Sequence, residues 1–336
     1  MGAQVYQEQI AARAQTVLDA AAEAWSVRRV VVRSMRSPLA GTRRLPLAAV
    51  TRADPGTRRL IGRMLYGGSG VTHRMNLELP PAPGADVVTL HDVVAWRFPD
   101  ESAPVAAAAE ELRRAAAVIC VSEYTAQEAR DLLGLTDVSV IPNGVDERFF
   151  DAQPLSGRDL AGLGLPGRFV LHAGGAAQRK NLESLAAAWP IVRKERPGLS
   201  LVLSGPPHPR RHQLFEGLEG AVLAGRLPDE LMPRLVASAL AIVVPSTYEG
   251  FGLPALEAMA ARVPVVAAAT SSLPEVVGDG GLLVAPDAPA IAEGLLAVTS
   301  DDAAVDRMIA VARARAEQFT WERSAAAHAR VWTSVG

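Results

Sequence analysis

The chain has 336 residues, enough for about two domains, and its 49% hydrophobic and 21% charged residues exclude an intrinsically disordered protein. The single cysteine, Cys120, excludes an intramolecular disulfide, so we expect a cytoplasmic protein. The formal net charge is −2, although residues 1–75 contain twelve arginines and four acidic residues. This basic first quarter suits an anionic lipid or an acidic acceptor, or it is a solvated arginine-rich face.

The first half of the chain predicts helices and strands in alternation. Apolar residues at helical spacing from Val5 to Ala21 predict that the chain opens with a helix. Residues 34–70 are predicted as loops around a helical patch at Thr57–Leu65, and Pro104 suits the first position of a helix that ends at Ala115. Strands are predicted at Val27–Arg33, Asp86–Leu90, Ala117–Val121 and Val138–Ile141, and a further helix at Tyr124–Leu133.

The second half alternates more regularly after Asp151–Gly167, a segment rich in Gly, Pro and Asp that we expect to link two domains. Short strands that are apolar on both faces predict a parallel sheet covered by helices on both sides. Ligands of such sheets bind at the carboxyl ends of the strands. The predicted strands are Phe169–His172, Ser200–Leu203, Ala221–Leu223, Ala241–Val244, Val263–Ala267 and Leu282–Val284, and the predicted helices between them are Asn181–Arg196, Asp229–Ala239 and Leu253–Ala261.

The stretch from Pro245 to Ala260 follows a predicted buried strand and is the richest in candidate functional residues. One interpretation is a capping box formed by Ser246 and Glu249. Two glycines and Pro254 favour a helix that begins later, at Leu253 or Pro254, because glycine weakens a helix interior and proline suits its first turn. The free N–H groups of that first turn would then suit an anion such as a diphosphate.

Glu249 and Glu257 are separated by seven residues, and two carboxylates at one helix mouth suit a polyhydroxylated ligand. Their surroundings, Glu-Gly-Phe-Gly-Leu-Pro-Ala-Leu-Glu, resemble the E-x7-E motif of family-4 (group 1) retaining glycosyltransferases, including mannosyltransferases. The resemblance covers the chain from about residue 85 to its end, and the earlier residues only loosely. Further matching segments are Val88–Asp92, Val121–Thr125, Ile141–Asp146, Phe169–Leu185, Val263–Pro286 and Phe319–Glu322.

This resemblance implies the GT-B fold, in which two Rossmann-like α/β domains with doubly wound parallel sheets face a central cleft. It implies an acceptor-binding domain at residues 1–148, a nucleotide-sugar-binding domain at 149–318, and a closing helix at 319–336 that crosses back to the first domain. The family's first strand has no counterpart at the start of this sequence, so we expect that the true start lies upstream of Met1.

By the same resemblance, Glu257 binds the ribose hydroxyls of a nucleotide sugar, Glu249 faces the sugar ring, and Arg179 with Lys180 neutralises the departing diphosphate. The resemblance also implies that His91 lies against the donor sugar, and the alternative is a merely structural histidine at a strand end. Further residues implied to bind the donor are Gly174, Gly205, Arg226, Leu227, Gly250, Phe251, Gly252 and Leu253.

The function implied by the resemblance is that of a hexosyltransferase with retention of configuration, which needs no metal and no other cofactor. The donor is GDP-, UDP- or dTDP-linked, and the hydroxyl acceptor is a glycan, glycolipid or secondary metabolite. An anionic or lipid-linked acceptor, or peripheral contact with the inner membrane face, would suit the basic first quarter. The alternative is a catalytically impaired or auxiliary subunit that binds a nucleotide sugar or a partner. A phosphorylase is disfavoured because Lys180 and Lys194 are the only lysines, and no motif indicates nucleic-acid binding.

Two local features complete the expectations from the sequence. Arg262 occupies a turn where the family usually has glycine with a positive φ angle, so we expect that this turn is either built differently or strained by about 1 kcal/mol. The pair Asp301-Asp302 is expected to cap a helix.

Overall fold

The computed structural model describes residues 2–21, 24–68, 70–98, 100–300 and 302–336. The chain divides into two compact units. Unit 1 comprises residues 1–144 and 321–336, and unit 2 comprises residues 145–320. The segment Asp151–Gly167, expected to link two domains, therefore lies inside unit 2, where part of it forms a short helix.

Unit 1 is an α/β unit with a parallel sheet. Its strands are β1 (Val32–Ser34), β2 (Arg43–Leu45), β3 (Val71–Arg74), β4 (Ala85–Leu90), β5 (Ala117–Cys120) and β6 (Ser139–Val140). Its helices before residue 144 are α1 (Gly2–Ala20), α2 (Leu47–Val50), α3 (Pro55–Tyr66), α4 (Val94–Arg97), α5 (Ala108–Arg114) and α6 (Glu123–Leu133). Among the described residues, β3, β4, β5 and β6 form one parallel sheet in that order, and β1 pairs with β2 in a separate parallel sheet.

Three predictions for unit 1 are wrong in detail. The strand expected at Val27–Arg33 begins only at Val32, directly after Val31, whose carbonyl accepts from Thr42 N next to β2. The region 34–70 contains β2 and α2 as well as the expected helical patch, and β3 was not predicted. The helix expected from Pro104 begins at Ala108, because the preceding chain is held by a hydrogen bond from Ala106 N to Thr51 O.

Unit 2 repeats a strand–helix alternation around one parallel sheet. Its strands are β7 (Phe169–Ala173), β8 (Ser200–Ser204), β9 (Ala221–Gly225), β10 (Ala241–Val244), β11 (Val265–Ala268) and β12 (Leu282–Val284). Its helices are α7 (Gly157–Gly162), α8 (Leu182–Glu195), α9 (Pro209–Phe215), α10 (Met232–Ser238), α11 (Leu253–Ala260), α12 (Leu273–Val277), α13 (Ala288–Val298) and α14 (Ala303–Ala316).

The order of strands in unit 2, among the described residues, is β12-β11-β10-β7-β8-β9. The central strands β10 and β7 are buried along almost their whole length, because helices cover both faces of the sheet. As all the pairings are parallel, the carboxyl ends of β10, β7 and β8 lie side by side at one edge of the sheet. The loops that leave this edge carry most of the residues expected to bind a donor.

The core of unit 1 is completed by α15 (Trp321–Val335), the last helix of the chain, which packs against α1. The buried residues of α1 recur every four positions, from Tyr6 to Leu18, which explains the helical spacing seen in the sequence. The Tyr6 hydroxyl lies 2.6 Å from both Thr89 Oγ1 and His328 Nε2. The first and last helices of the chain, α1 and α15, are thus both linked to β4 through the buried hydroxyl of Tyr6.

Four ionisable side chains are buried together in unit 1. Arg58 Nε donates to Glu111 Oε1 at 2.6 Å, Arg74 Nη1 donates to Glu111 Oε2 at 3.0 Å, and Arg74 Nη2 donates to Asp86 Oδ2 at 2.7 Å. Arg58 also donates to the carbonyls of residues 77 and 79, and so fixes the loop before β4. Two arginines of the basic first quarter therefore belong to the core and not to a solvated face.

Cys120 is buried in β5, where burial raises the pKa of its thiol to about 12, so the expected packing role is confirmed. Asp302 caps α14 by accepting from Ala304 N, whereas Asp301 lies outside the described residues. No helix in the described part of the chain is both long and apolar enough to span a membrane.

Candidate functional site

The turn between β10 and α11 is the centre of the candidate site. Gly252 has a φ of +105° and immediately precedes α11, which begins at Leu253 with Pro254 in its first turn. A side chain at Gly252 would place its Cβ 2.8 Å from Leu273 Cδ2, so both the backbone angle and the available space favour glycine. The prediction that the helix begins at Leu253 is confirmed. The capping-box interpretation is wrong, since Ser246 Oγ instead donates to the carboxylate of Glu249 at 2.8 Å.

Two serines from the turn after β11 hold the loop that carries Glu249. Glu249 N donates to Ser271 Oγ at 2.9 Å, and Ser272 Oγ lies 2.9 Å from the carbonyl oxygens of both Glu249 and Phe251. Ser271 has a φ of +52°, a backbone conformation that few residues other than glycine adopt. The sequence did not reveal this support, because nothing local links a serine to a glutamate 22 positions earlier.

Arg179 and Lys180 follow β7 in a short 3-10 turn at Gln178–Lys180. Lys180 Nζ donates to Glu249 Oε1 at 2.6 Å, and Arg179 Nη1 lies 4.0 Å from Glu249 Oε2. Burial alone would raise the pKa of Glu249, but the charge and hydrogen bond of Lys180, with the hydroxyl of Ser246, bring it below its usual value. The structure thus brings together both predicted cations and the predicted sugar-facing carboxylate.

Asn181 fixes the turn that carries these two cations. Its φ is +52°, and its side-chain amide donates to the carbonyls of Pro245, at 3.0 Å, and Pro286, at 2.8 Å. These carbonyls follow β10 and β12, so one side chain connects three loops at the carboxyl edge of the sheet. Asparagine tolerates this left-handed backbone conformation better than most residues do.

Glu257 lies one turn into α11 and is partly exposed. Burial and the nearby carboxylate of Asp146 raise the pKa of Glu257 to about 7, against an opposing contribution from Arg148. Arg148 is held by Asp146 through hydrogen bonds of 2.9–3.1 Å. The predicted ribose-binding carboxylate therefore changes charge near neutral pH, next to an ion pair that the sequence did not single out.

Gly174 and Gly205, both predicted to bind the donor, directly follow β7 and β8 at the carboxyl edge of the sheet. A Cβ on Gly205 would lie 2.1 Å from Gly174 O and 2.8 Å from Arg211 Nη2, so a side chain there would collide with the opposite turn. His172 lies beneath Gly174, and burial lowers the pKa of its imidazole to about 4, assisted by the charges of Arg211 and Lys180. His172 and Arg211 were both missed from the sequence.

The other predicted donor residues lie in two loops of unit 2. Gly250 and Phe251 form the loop between Glu249 and α11, and the Phe251 ring packs edge-on against Phe319 at 5.9 Å. Arg226 and Leu227 follow β9, and Arg226 makes a loose ion pair of 3.8 Å with Asp229. The Arg226 side chain is 56% exposed, so the loop around it is available to a ligand.

His91 belongs to unit 1, where it directly follows β4. Its ring meets the Tyr6 ring edge-on at 4.7 Å, and burial lowers its pKa. Its Nε2 is buried and, among the described residues, has no hydrogen-bond partner. Its role toward the donor sugar stays a prediction.

Two other observations concern alternative sites. A groove of about 480 Å³ in unit 1 is lined largely by residues 115–118 and 134–137, and none of the predicted site residues lines it. In the part of the chain that the structure describes, no group of three His, Cys, Asp or Glu side chains could hold a metal ion.

Two protein families match the chain. Residues 167–301 match the family described as glycosyl transferases group 1, and residues 82–149 match the family described as glycosyltransferase family 4. The first match includes every predicted donor-binding residue of unit 2, and the second includes His91.

The curated relatives include a mannosyltransferase and a glycogen synthase. The chain is 41% identical over 173 residues to the O-antigen chain mannosyltransferase B of Escherichia coli, covering 46% of this chain and 42% of that protein. It is 31% identical over 241 residues to a glycogen synthase of Mycobacterium tuberculosis, covering 67% and 55% respectively. The chain thus spans about half the length of these relatives.

Solved structures share the fold. Sucrose-phosphate synthase from Thermosynechococcus elongatus is similar at a TM-score of 0.63 and 27% identity, over 75% of this chain and 68% of that one. The Anabaena protein HepE, solved in complex with UDP-glucose, is similar at a TM-score of 0.62 and 22% identity, over 79% and 78%. The α/β fold with parallel sheets is therefore that of the GT-B class, as expected from the sequence.

Proposed function

We propose the reaction of the whole protein from the matches of residues 82–149 and 167–301 to the family 4 and group 1 glycosyltransferases. The chain transfers a hexose from a nucleoside-diphosphate donor to a hydroxyl acceptor, with retention of the anomeric configuration. The observation that carries the proposal is the contact of Lys180, and the proximity of Arg179, with Glu249 beside the first turn of α11. Two cations, free N–H groups and a carboxylate suit a diphosphate that is joined to a sugar.

The proposed binding of the donor rearranges this cluster. The diphosphate takes Lys180 and Arg179 as its counter-charges and accepts hydrogen bonds from the amides of Phe251, Gly252 and Leu253. Glu249, relieved of its ion pair, accepts hydrogen bonds from hydroxyls of the sugar ring. Glu257 accepts hydrogen bonds from the ribose, and the loop of Arg226 and Leu227 contacts the base.

The proposed transfer needs no protein carboxylate as acid or base. The bond between the anomeric carbon and the diphosphate oxygen breaks, and the acceptor oxygen bonds to the same face of that carbon. The acceptor proton passes to the departing diphosphate, whose growing negative charge the fixed cations stabilise more strongly than they stabilise the bound donor. We assign this neutralisation to Arg179 and Lys180 and not to a metal ion.

The test is a donor screen with the purified chain. Thermal stabilisation by UDP-, GDP-, dTDP- and ADP-linked sugars should identify the base, because a ligand that binds only the folded state raises its stability. Release of nucleoside diphosphate in the presence of hydroxyl acceptors then measures turnover, which Glu249→Ala should abolish. Binding without turnover on any acceptor would favour the auxiliary-subunit alternative, and neither binding nor turnover would overturn both.

We also propose that unit 1 contacts an anionic membrane surface or an anionic acceptor on the cytoplasmic side. The outer face of α3 exposes Leu60 at 60% and Met64 at 81%, and Arg59 and Arg63 are exposed beside them. Apolar side chains flanked by arginines on one helix face are typical of helices that lie in a membrane interface. This surface supports a lipid-linked acceptor.

A further inference from the structure

Arg211 is a buried arginine in α9 at the wall of the candidate donor site. Its side chain and backbone together are only 2% exposed. Its Nη1 donates to Pro206 O at 2.7 Å, and its Nη2 donates to Gly174 O. The guanidinium therefore joins the turn after β7 to the turn after β8, the two turns in which Gly174 and Gly205 lie.

Arg211 lacks the carboxylate that a buried arginine normally has. Among the described residues, no acidic side chain lies within ion-pair distance of its guanidinium, and its Nε is buried without a hydrogen-bond partner. Burial accordingly lowers its pKa, with no acidic group to oppose the effect. The buried arginines of unit 1 differ, since Arg58 and Arg74 each contact at least one carboxylate. An unpaired buried cation costs stability, so its retention needs a reason.

The charges around Arg211 supply that reason. Arg211, Lys180 and Glu249 all act electrostatically on the buried His172, and Arg179 acts on Glu249. Three cations and one carboxylate leave a formal excess of two positive charges at the carboxyl ends of β7, β8 and β10. The diphosphate of a nucleotide sugar carries about two negative charges. The free site is therefore complementary in charge to a diphosphate only if Arg211 is counted.

We propose that Arg211 is a positioning residue whose missing counter-ion is the donor's diphosphate. The inference rests on the proposed function. Arg211 acts through the backbone of Gly174 and through the field of its buried charge, which water screens little at this depth. The protein thereby tolerates an unpaired charge in the free state and gains attraction for the ligand in the bound state.

The neighbouring residue offers a matched control. Arg210 lies on the same helix and is paired with Glu183, so its charge is already compensated. Arg210→Met and Arg211→Met remove the same charge and nearly the same volume, one from a paired site and the other from the unpaired site. Arg211→Lys retains the positive charge but lacks the planar guanidinium that donates to both carbonyl oxygens.

The experiment measures binding of inorganic pyrophosphate, of UDP and of uridine by titration calorimetry, together with the melting temperature of each free variant. We expect Arg211→Met to weaken pyrophosphate and UDP at least about tenfold, to change uridine less than about twofold, and to leave the melting temperature unchanged or higher. Arg210→Met should bind all three ligands within about twofold of the wild type, and Arg211→Lys should recover most of the pyrophosphate affinity.

Two results would overturn the inference while leaving the proposed function intact. One is pyrophosphate binding by Arg211→Met that equals that of the wild type. The other is a lower melting temperature with equal loss of pyrophosphate and uridine, which would show an ordinary structural arginine. Failure of the wild type to bind pyrophosphate or any nucleotide sugar would instead overturn both proposals.

Discussion

Glu249 forms an ion pair with Lys180 in the free protein. We propose that the same carboxylate binds the sugar of the donor. Lys180 Nζ lies 2.6 Å from its carboxylate, and Ser246 Oγ lies 2.8 Å from the same oxygen. The diphosphate must therefore compete with Glu249 for Lys180. The cost of separating the pair is part of the cost of binding the donor.

Glu249→Gln should consequently affect a nucleoside diphosphate and its sugar in opposite directions. Because the amide releases Lys180, we expect UDP or GDP to bind about fivefold more tightly, whereas sugar transfer should fall at least about a hundredfold. Calorimetry and a turnover assay measure the two effects. Ser246→Ala is the control, since it keeps the ion pair and should change diphosphate affinity less than about twofold. Equal weakening of diphosphate and nucleotide sugar would contradict the competition.

The raised pKa of Glu257 predicts how donor binding depends on pH. A carboxyl with a pKa of about 7 is mostly protonated at pH 6 and mostly ionised at pH 8. The ionised carboxylate can accept hydrogen bonds from ribose hydroxyls at both of its oxygens. The affinity for a nucleotide sugar should therefore rise about tenfold from pH 6 to pH 8. A nucleotide sugar is the right probe, because its diphosphate does not titrate in this range. Glu257→Gln should bind the nucleotide sugar more weakly, with an affinity that does not change between pH 6 and pH 8. An affinity that still rises with pH in this variant would show that another group causes the pH dependence.

Stability of the free protein should change with pH in the opposite direction. The folded state holds the Glu257 proton to a higher pH than the unfolded state does, so the free energy of unfolding falls as pH rises from about 4.5 through 7. Because Glu257 is partly exposed and solvent screens its charge, we expect the free energy of unfolding to fall by about 1 kcal/mol. Denaturant titrations at pH 5 and pH 8 should show this difference in the wild type, and Glu257→Gln should lack that part of it.

The sequence alone predicted Glu249, Glu257, Arg179 and Lys180 as site residues, since each lies in a recognisable local motif. It did not reveal His172 or Arg211. His172 sits inside an ordinary apolar strand, and Arg211 is one of two adjacent arginines of which only one is buried without a carboxylate. Burial and distance, which separate these two arginines, are not properties of the local sequence.

At the scale of elements, the end of α11 contains backbone strain that can be measured. Arg262 has a φ of +58°, so of the two expected alternatives the strained turn is the one found, and its side chain is exposed. We expect Arg262→Gly to raise the free energy of unfolding by about 0.5–1 kcal/mol, because glycine adopts this angle without a steric penalty. Chemical denaturation measures the gain. Arg262→Ala is the control, since alanine keeps the Cβ and should give no gain, and an equal gain in both variants would exclude backbone strain as the cause.

Prediction of the elements succeeded where short-range chemistry decides and failed where distant contacts do. Gly252 and Pro254 determine where α11 begins, and the buried apolar strands of unit 2 have the length and composition of central parallel strands. By contrast β3, Val-Thr-His-Arg, has no strand-like alternation, and it is a strand because β4 pairs with it. The late start of α5 likewise depends on a contact of Ala106 with Thr51.

For the whole molecule, the uneven charge predicts salt-dependent binding to anionic surfaces. We expect the protein to bind, through unit 1, to vesicles that contain phosphatidylserine but not to phosphatidylcholine vesicles. Salt at 0.5 M should release it, because salt screens the attraction between about ten basic residues and the anionic lipid. Arg59→Gln with Arg63→Gln should weaken co-sedimentation with the anionic vesicles about tenfold.

The matched control removes two exposed arginines from unit 2, by Arg158→Gln with Arg168→Gln. This variant changes the net charge equally and should bind vesicles as the wild type does. Leu60→Ser with Met64→Ser tests the apolar part of the surface. We expect this variant to bind anionic vesicles more weakly than the wild type at the same salt concentration, because its charge is unchanged and only the apolar contribution is lost. Equal binding by all variants would show that α3 is not the contact surface.

The sequence by itself determined the fold class, the alternation of strands and helices in unit 2 and the start of α11, and it predicted the four central residues of the candidate site. These depend on hydrophobic periodicity, on the conformational limits of glycine and proline, and on motifs of adjacent residues. Only the tertiary structure decided that Lys180 is paired with Glu249 across 69 positions, that Arg58 and Arg74 lie in a core, and that Arg211 is buried without a carboxylate. The physical reason is that ionic interactions depend on distance and burial in space, and sequence separation fixes neither.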